Sequence, residues 1–185
     1  MKKKKTKVAM KKKDTYNDAS HFPNDIAYKV GTHVIAGRPA SGNTSFSIDC
    51  ITDCIRSEYP IAYVSLDMTK KHFLERFGKK ISPSEINNSI KRNLFFYLNE
   101  NEVTKLLPCL QSLRNNGVKV AIIDFVQLLK VNGNPLETDH IIAILSAFAL
   151  KHQMSIVLLC QLTRFSKDVY PFAQTIQLLG KETNK

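Results

Sequence analysis

Gly37–Thr44 reads GRPASGNT, and the fold of the chain turns on those eight residues. Glycine, four residues, glycine, then a polar residue and a hydroxyl is the frame of the phosphate-binding loop G-x-x-x-x-G-K-[ST]. In that loop the glycines let the backbone curl its N–H groups around a polyphosphate. The lysine neutralises the β- and γ-phosphates, and the hydroxyl holds Mg²⁺. Gly37, Gly42 and Thr44 are in place, but Asn43 stands where the lysine belongs. The residues expected to surround a phosphate are therefore Gly37, Arg38, Pro39, Ala40, Ser41, Gly42, Asn43, Thr44 and Ser45. Losing the lysine removes a charge-assisted hydrogen bond of about 1.5–3 kcal/mol. Ground-state binding can survive that loss. Hydrolysis suffers more, because the lysine also meets charge that develops in the transition state.

Outward from the loop, the pattern alternates between short apolar runs and amphipathic stretches. A strand is expected over Thr32–Ala36, entering the loop, and a helix over Thr44–Ser57, leaving it. The spacing of Phe46, Ile48, Cys50, Ile51, Cys54 and Ile55 gives that helix one broad apolar face. Further strands are expected at Ile61–Leu66, Leu94–Leu98 and Ser155–Leu162, and a long apolar run covers Val120–Leu129. Helices are expected after Thr69 to about Phe77, over Val103–Asn116 with a kink at Pro108, and from Asp139 as cap to about Gln153. Residues 130–138 read as a polar loop, and the last twenty or so residues carry little pattern. Apolar strands alternating with helices predict an α/β fold, a mostly parallel sheet with helices on both faces. Ligands in such sheets sit beyond the carboxyl ends of the strands. The glycine loop, Asp67, Asp124 and Gln161 all fall at or just past such ends.

Each of these residues has a chemical and a plain reading. Asp124 closes the apolar half-run VAIID, where a lone acid is costly unless it is paired or near a metal. It is the candidate partner of Thr44 around Mg²⁺, with a capped structural aspartate as the alternative. Asp67, in SLDM, stands where an acid can polarise an attacking water, or is simply a surface acid. Gln161, in LLCQLTR, can contact a γ-phosphate or merely end a strand, and Arg164 follows it. The five histidines show no metal spacing and read as surface or structural residues.

The chain has 185 residues, 43% of them hydrophobic, which suits one domain with a substantial core. Its formal net charge is +11, but eight lysines precede the first acid, Asp14; taking those eight from +11 leaves +3. The basicity is thus concentrated in an arm that includes Lys2, Lys3, Lys4, Lys5, Lys11, Lys12 and Lys13. Such an arm grips nucleic-acid phosphates by counterion release, or serves only as a solubilising terminus. No stretch reaches the roughly 18–20 apolar residues of a membrane span, and no secretion signal is evident, so a cytoplasmic location is expected. The four cysteines, Cys50, Cys54, Cys109 and Cys160, form no CxxC pair and read as reduced and buried.

Four segments, VIAGRPASGNTSF, YVSLDM, VAIIDFVQLL and SAFALKHQMSIVLLCQLTR, resemble in order and spacing the motor domain of DnaB-type hexameric replicative helicases, within the RecA-like P-loop ATPases. The resemblance runs from about residue 30 to residue 165. It divides the chain into a basic arm and lead-in (1–29), a RecA-like motor domain (30–165) and a weakly patterned tail (166–185). It implies an ATP–Mg²⁺ site with Thr44 and Asp124 at the metal, Asp67 in place of the family's water-activating glutamate, and Gln161 as sensor. It also implies single-stranded DNA as partner and either a hexamer or association with a complete helicase. The departures are a degenerate Walker A loop, an aspartate for a glutamate, and no recognisable primase-interaction domain. After the sensor strand, residues 166–185 do not supply recognisably the family's further strands or basic finger, so a fold truncated at its C-terminal side is expected. Two functions follow: a DNA-dependent ATPase or helicase of reduced form, or a RecA-like adaptor that has lost catalysis.

Overall fold

The computed structural model describes residues 29–162, residue 173 and the strand 175–179. Six strands form one sheet in the order β3-β2-β4-β7-β1-β8, every neighbouring pair parallel. They are β1 (Gly31–Gly37), β2 (Ile61–Ser65), β3 (Phe95–Leu98), β4 (Val120–Asp124), β7 (Ser155–Gln161) and β8 (Thr175–Leu179). Five helices connect them: α1 (Asn43–Arg56), α2 (Lys70–Phe77), α3 (Pro83–Lys91), α4 (Val103–Asn115) and α5 (Thr138–His152).

The central strands are apolar at nearly every position because both faces are covered. Val34, Ala36, Val64, Ala121, Ile123, Ile156 and Leu158 pack beneath α4 and α5 through Leu106, Leu110, Ile141, Ile142 and Leu145. The alternate residues Ile35, Ile61, Tyr63, Ile122, Val157 and Leu159 face α1, α2 and α3 through Ile48, Ile51, Phe73, Phe77 and Ile86. The expected α/β architecture is present, with strand limits within a residue or so of those read from the sequence.

Several expectations are corrected. Residues 80–93 carry an unanticipated helix, α3, which opens on a capping box. The Ser82 hydroxyl accepts from the Glu85 N–H, the Glu85 carboxylate accepts from the Ser82 N–H, and Pro83 fills the first turn. The apolar run after β4 does not continue as a strand; it turns through a short 3₁₀ segment, Val126–Leu128. The expected polar loop contains a hairpin, β5 (Lys130–Val131) and β6 (Asn134–Pro135), closed by Asn132 and Gly133 at φ +52° and +76°. Asn-Gly turns favour that pairing because both central residues need positive φ. The α5 helix starts at Thr138 with Glu137 at its cap position, so Asp139 is a first-turn acid and not the cap. α4 runs on through Pro108, which lies on the exposed side, where water can satisfy the carbonyl that proline leaves unpaired. The tail contributes β8, a further strand beside β1, where none was expected. Cys50, Cys54 and Cys160 are buried as free thiols, but Cys109 is exposed.

Candidate functional site

The sheet register brings the singled-out residues to one edge. Gly37 pairs with Gln161 across β1 and β7, Asp124 lies opposite Leu159, and Ser65 lies opposite Asp124. Asp67 is two residues past the end of β2. Leu66 N–H donates to the Asp124 carbonyl at 2.8 Å, so the two tips are stitched together. Ser65 Oγ and Tyr97 OH both donate to the Met68 carbonyl, at 3.0 and 2.8 Å, and fix the short turn that holds Asp67.

The glycine loop has the shape its pattern predicts. Gly42 sits at φ +98°, which favours glycine. A Cβ on Gly37 would run into the side chains of Ser41 and Asn43, so only glycine fits there. Arg38, Pro39, Ala40 and Ser45 are exposed, while Ser41, Gly42 and Thr44 are half-buried. No side chain caps α1, so its first N–H groups and the positive end of its dipole face the loop.

Asn43 behaves unlike a phosphate ligand. It is buried, and its amide donates to the Cys160 carbonyl on β7 at 3.2 Å while its oxygen accepts a long 3.4 Å bond from Ser41 Oγ. The amide that replaces the lysine therefore pins the loop to the neighbouring strand. Leu162 N–H donating to the Gly37 carbonyl at 2.9 Å adds a second tie between the same two strands.

Asp124 is fully buried. Oδ2 accepts from Tyr63 OH at 2.7 Å, and Oδ1 has no hydrogen-bond partner among the described residues. Burial raises its pKa to about 6; the nearby Asp67 charge adds to the rise, while the Tyr63 and Thr44 hydroxyls oppose it. The Thr44 side chain is thus within reach of Asp124, without a geometric hydrogen bond to Oδ1. Asp67 reaches solvent, yet partial burial holds it above the usual carboxylate range, against the pull of its own backbone N–H and of Arg76. Burial raises the Tyr63 hydroxyl far above its usual range, and the adjacent Asp124 charge adds to that.

A hard divalent cation takes oxygen ligands, and one bare buried carboxylate oxygen beside a threonine hydroxyl fits that requirement. Asp124 and Thr44 are therefore the residues that would hold Mg²⁺. Gln161 ends β7 with its side chain exposed, and its carbonyl accepts from Gln127 Nε2 at 3.0 Å. Arg164 and the lysines of the arm lie outside the described residues.

Tyr63 was not anticipated from the sequence, nor were Ser65 and Tyr97. A hydroxyl inside an apolar strand was the available signal, since a buried tyrosine O–H nearly always finds a partner. Which acid it meets depends on strand order, which the sequence did not supply.

No protein-family model matches the chain. A curated relative from Chlamydia psittaci, described as a probable plasmid replicative DNA helicase, is 26% identical, with the match covering 73% of this chain and 35% of that protein. Among solved structures, the ATPase domain of a DnaB-like protein superposes with a TM-score of 0.58 at 18% identity, covering 72% of this chain and 58% of that one. The chain thus spans about a third of the curated relative and somewhat over half of the solved domain. Among the described residues no helix is long and apolar enough to cross a membrane.

Proposed function

We propose that this chain, whose fold is that of a DnaB-type RecA-like helicase domain, binds a nucleoside triphosphate with Mg²⁺ at its strand tips and serves DNA replication in the cytoplasm with impaired hydrolysis. The observation that carries the reading is the buried Asp124, one oxygen bare, beside Thr44 and the open amides of α1. In this site the cation would supply charge neutralisation for the phosphates. The chain's own groups would orient it: Gly37 to Gly42 cradle the phosphates, Thr44 and Asp124 hold the metal, Asp67 faces the attacking water, and Gln161 stands at the γ-phosphate end.

Hydrolysis is weak in this reading because two groups fall short. Asn43 brings no charge, and its amide is engaged with Cys160. Asp67 is one methylene shorter than the glutamate that the resemblance places there. Single-stranded DNA is the proposed partner, reached by the lysine arm and Arg164, in a hexamer or beside a complete helicase. A purely non-catalytic adaptor is the second reading, favoured by the same buried Asn43.

Calorimetric titration of the full chain with ATP, with and without Mg²⁺, run beside an ATPase assay with single-stranded DNA, tests the proposal. Mg²⁺-dependent binding with negligible turnover is expected. No binding under either condition would sink the nucleotide reading. Robust turnover abolished by Asp124→Asn would defeat the claim of impairment.

A further inference from the structure

Asp124 presents one oxygen and hides the other, and the hidden one is held by a residue that the nucleotide reading does not use. Tyr63 lies two residues before the end of β2, in register with Ile122 of β4, so its side chain falls on the same side of the sheet as Asp124. Its hydroxyl donates to Oδ2 at 2.7 Å. The ring cannot swing away. It is buried and packed against Phe73 at 4.6 Å between centroids, with Tyr97 on a further flank at 6.2 Å. The same hydroxyl stands against Ser47 of α1, and Ser47 Oγ donates to the Thr44 carbonyl at 2.9 Å. One hydroxyl therefore links β2, β4 and the turn of α1 that presents Thr44.

Resting on the metal site of the preceding section, we propose that Tyr63 is a positioning residue for the divalent cation. It fixes the carboxylate rotation that turns Oδ1 outward, and it ties that orientation to the helix turn bearing the second ligand. A carboxylate that accepts a fixed hydrogen bond on one oxygen loses little freedom when the other takes a metal. Loss of such an outer partner typically lowers metal affinity by about ten- to a hundred-fold.

The test is Mn²⁺ binding to the full chain, counted as free ion by electron paramagnetic resonance, in wild type, Tyr63→Phe and Tyr97→Phe. Both substitutions remove a single hydroxyl from a packed ring, but Tyr97 donates to the Met68 carbonyl instead of to Asp124. Tyr63→Phe is expected to weaken Mn²⁺ binding about ten-fold or more, with Tyr97→Phe close to wild type even where both melt at lower temperature. Equal affinity in Tyr63→Phe and wild type would overturn the role of Tyr63 alone. Failure of wild type to take up Mn²⁺ would instead sink the metal reading beneath it. Should Tyr63→Phe not fold, paramagnetic broadening in the ¹³C-tyrosine-labelled wild type decides. The Tyr63 ring is expected to broaden on Mn²⁺ addition more than the Tyr97 ring, and the reverse order would overturn the proposal.

Discussion

Asp124 makes its protonation a measurable stability term. Its folded pKa is raised to about 6, so the native chain holds that proton more tightly than the unfolded chain does. The stabilising contribution is complete below the unfolded value, near pH 4, and is lost as pH climbs through about 6. A two-unit rise corresponds to about 3 kcal/mol. Asp124→Asn should therefore raise the melting temperature of the metal-free chain at pH 7 while abolishing Mn²⁺ uptake. Thermal melts of the two proteins at pH 4 and pH 7 would show the gap closing at the lower pH, and a constant gap would contradict the assignment. Asn43 gives a second expectation. Asn43→Ala should cost about 1–2 kcal/mol, because the Cys160 carbonyl loses its donor. Asn43→Lys should lose the same bond and lower the melting temperature while raising nucleotide affinity, since the charge must leave the pin to reach the phosphates. Melting curves and ATP titrations on the same samples check both. At this scale the sequence announced that Asn43 and Asp124 were unusual, one by motif and one by an acid ending an apolar run. That Asn43 faces inward was not legible, because the backbone carbonyl it meets is 117 positions away.

The elements that escaped sequence reading are those stabilised locally by polar chemistry and not by apolar periodicity. The α3 helix is announced by Ser82-Pro83-Ser84-Glu85, a cap signal that an apolar template passes over. The β5–β6 hairpin is announced by Asn132-Gly133 inside a stretch that read as polar loop. The hairpin has an anchor beyond its own turn. The Glu102 carboxylate, at the cap position of α4, accepts from the N–H groups of both Asn132 and Gly133 at 2.8 Å. The Gly133 bond leads the causes that hold the Glu102 pKa below its ordinary value. The grip is therefore present above the usual carboxylate range and is released as pH falls through the lowered pKa. Glu102→Ala should speed amide exchange at Asn132 and Gly133 several-fold while leaving β4 and β7 amides unchanged. Hydrogen-exchange spectroscopy resolves the two sets, and equal protection of the hairpin in both proteins would mean that its turn holds alone.

For the whole molecule, burial makes a prediction about reactivity. Cys50, Cys54 and Cys160 are enclosed and Cys109 is exposed. Burial also pushes the Cys50 and Cys54 thiols upward, which lowers their thiolate fraction further. A thiol-specific colorimetric reagent at neutral pH should find one fast cysteine in the native chain and the rest only in denaturant; Cys109→Ser should remove the fast phase. The parallel sheet and the convergence of its tips were readable because continuous apolar runs, separated by helices, leave few other arrangements. The place of each strand in the sheet was not, and it has a consequence during synthesis. β1 lies between β7 and β8, so the strand that carries the glycine loop has both neighbours in residues 155–179. A ribosome must deliver nearly the whole chain before those backbone pairs can close. Until then the first strand made is the last to be flanked, and a nascent polypeptide stalled before residue 155 would leave it open to association with other unfinished chains.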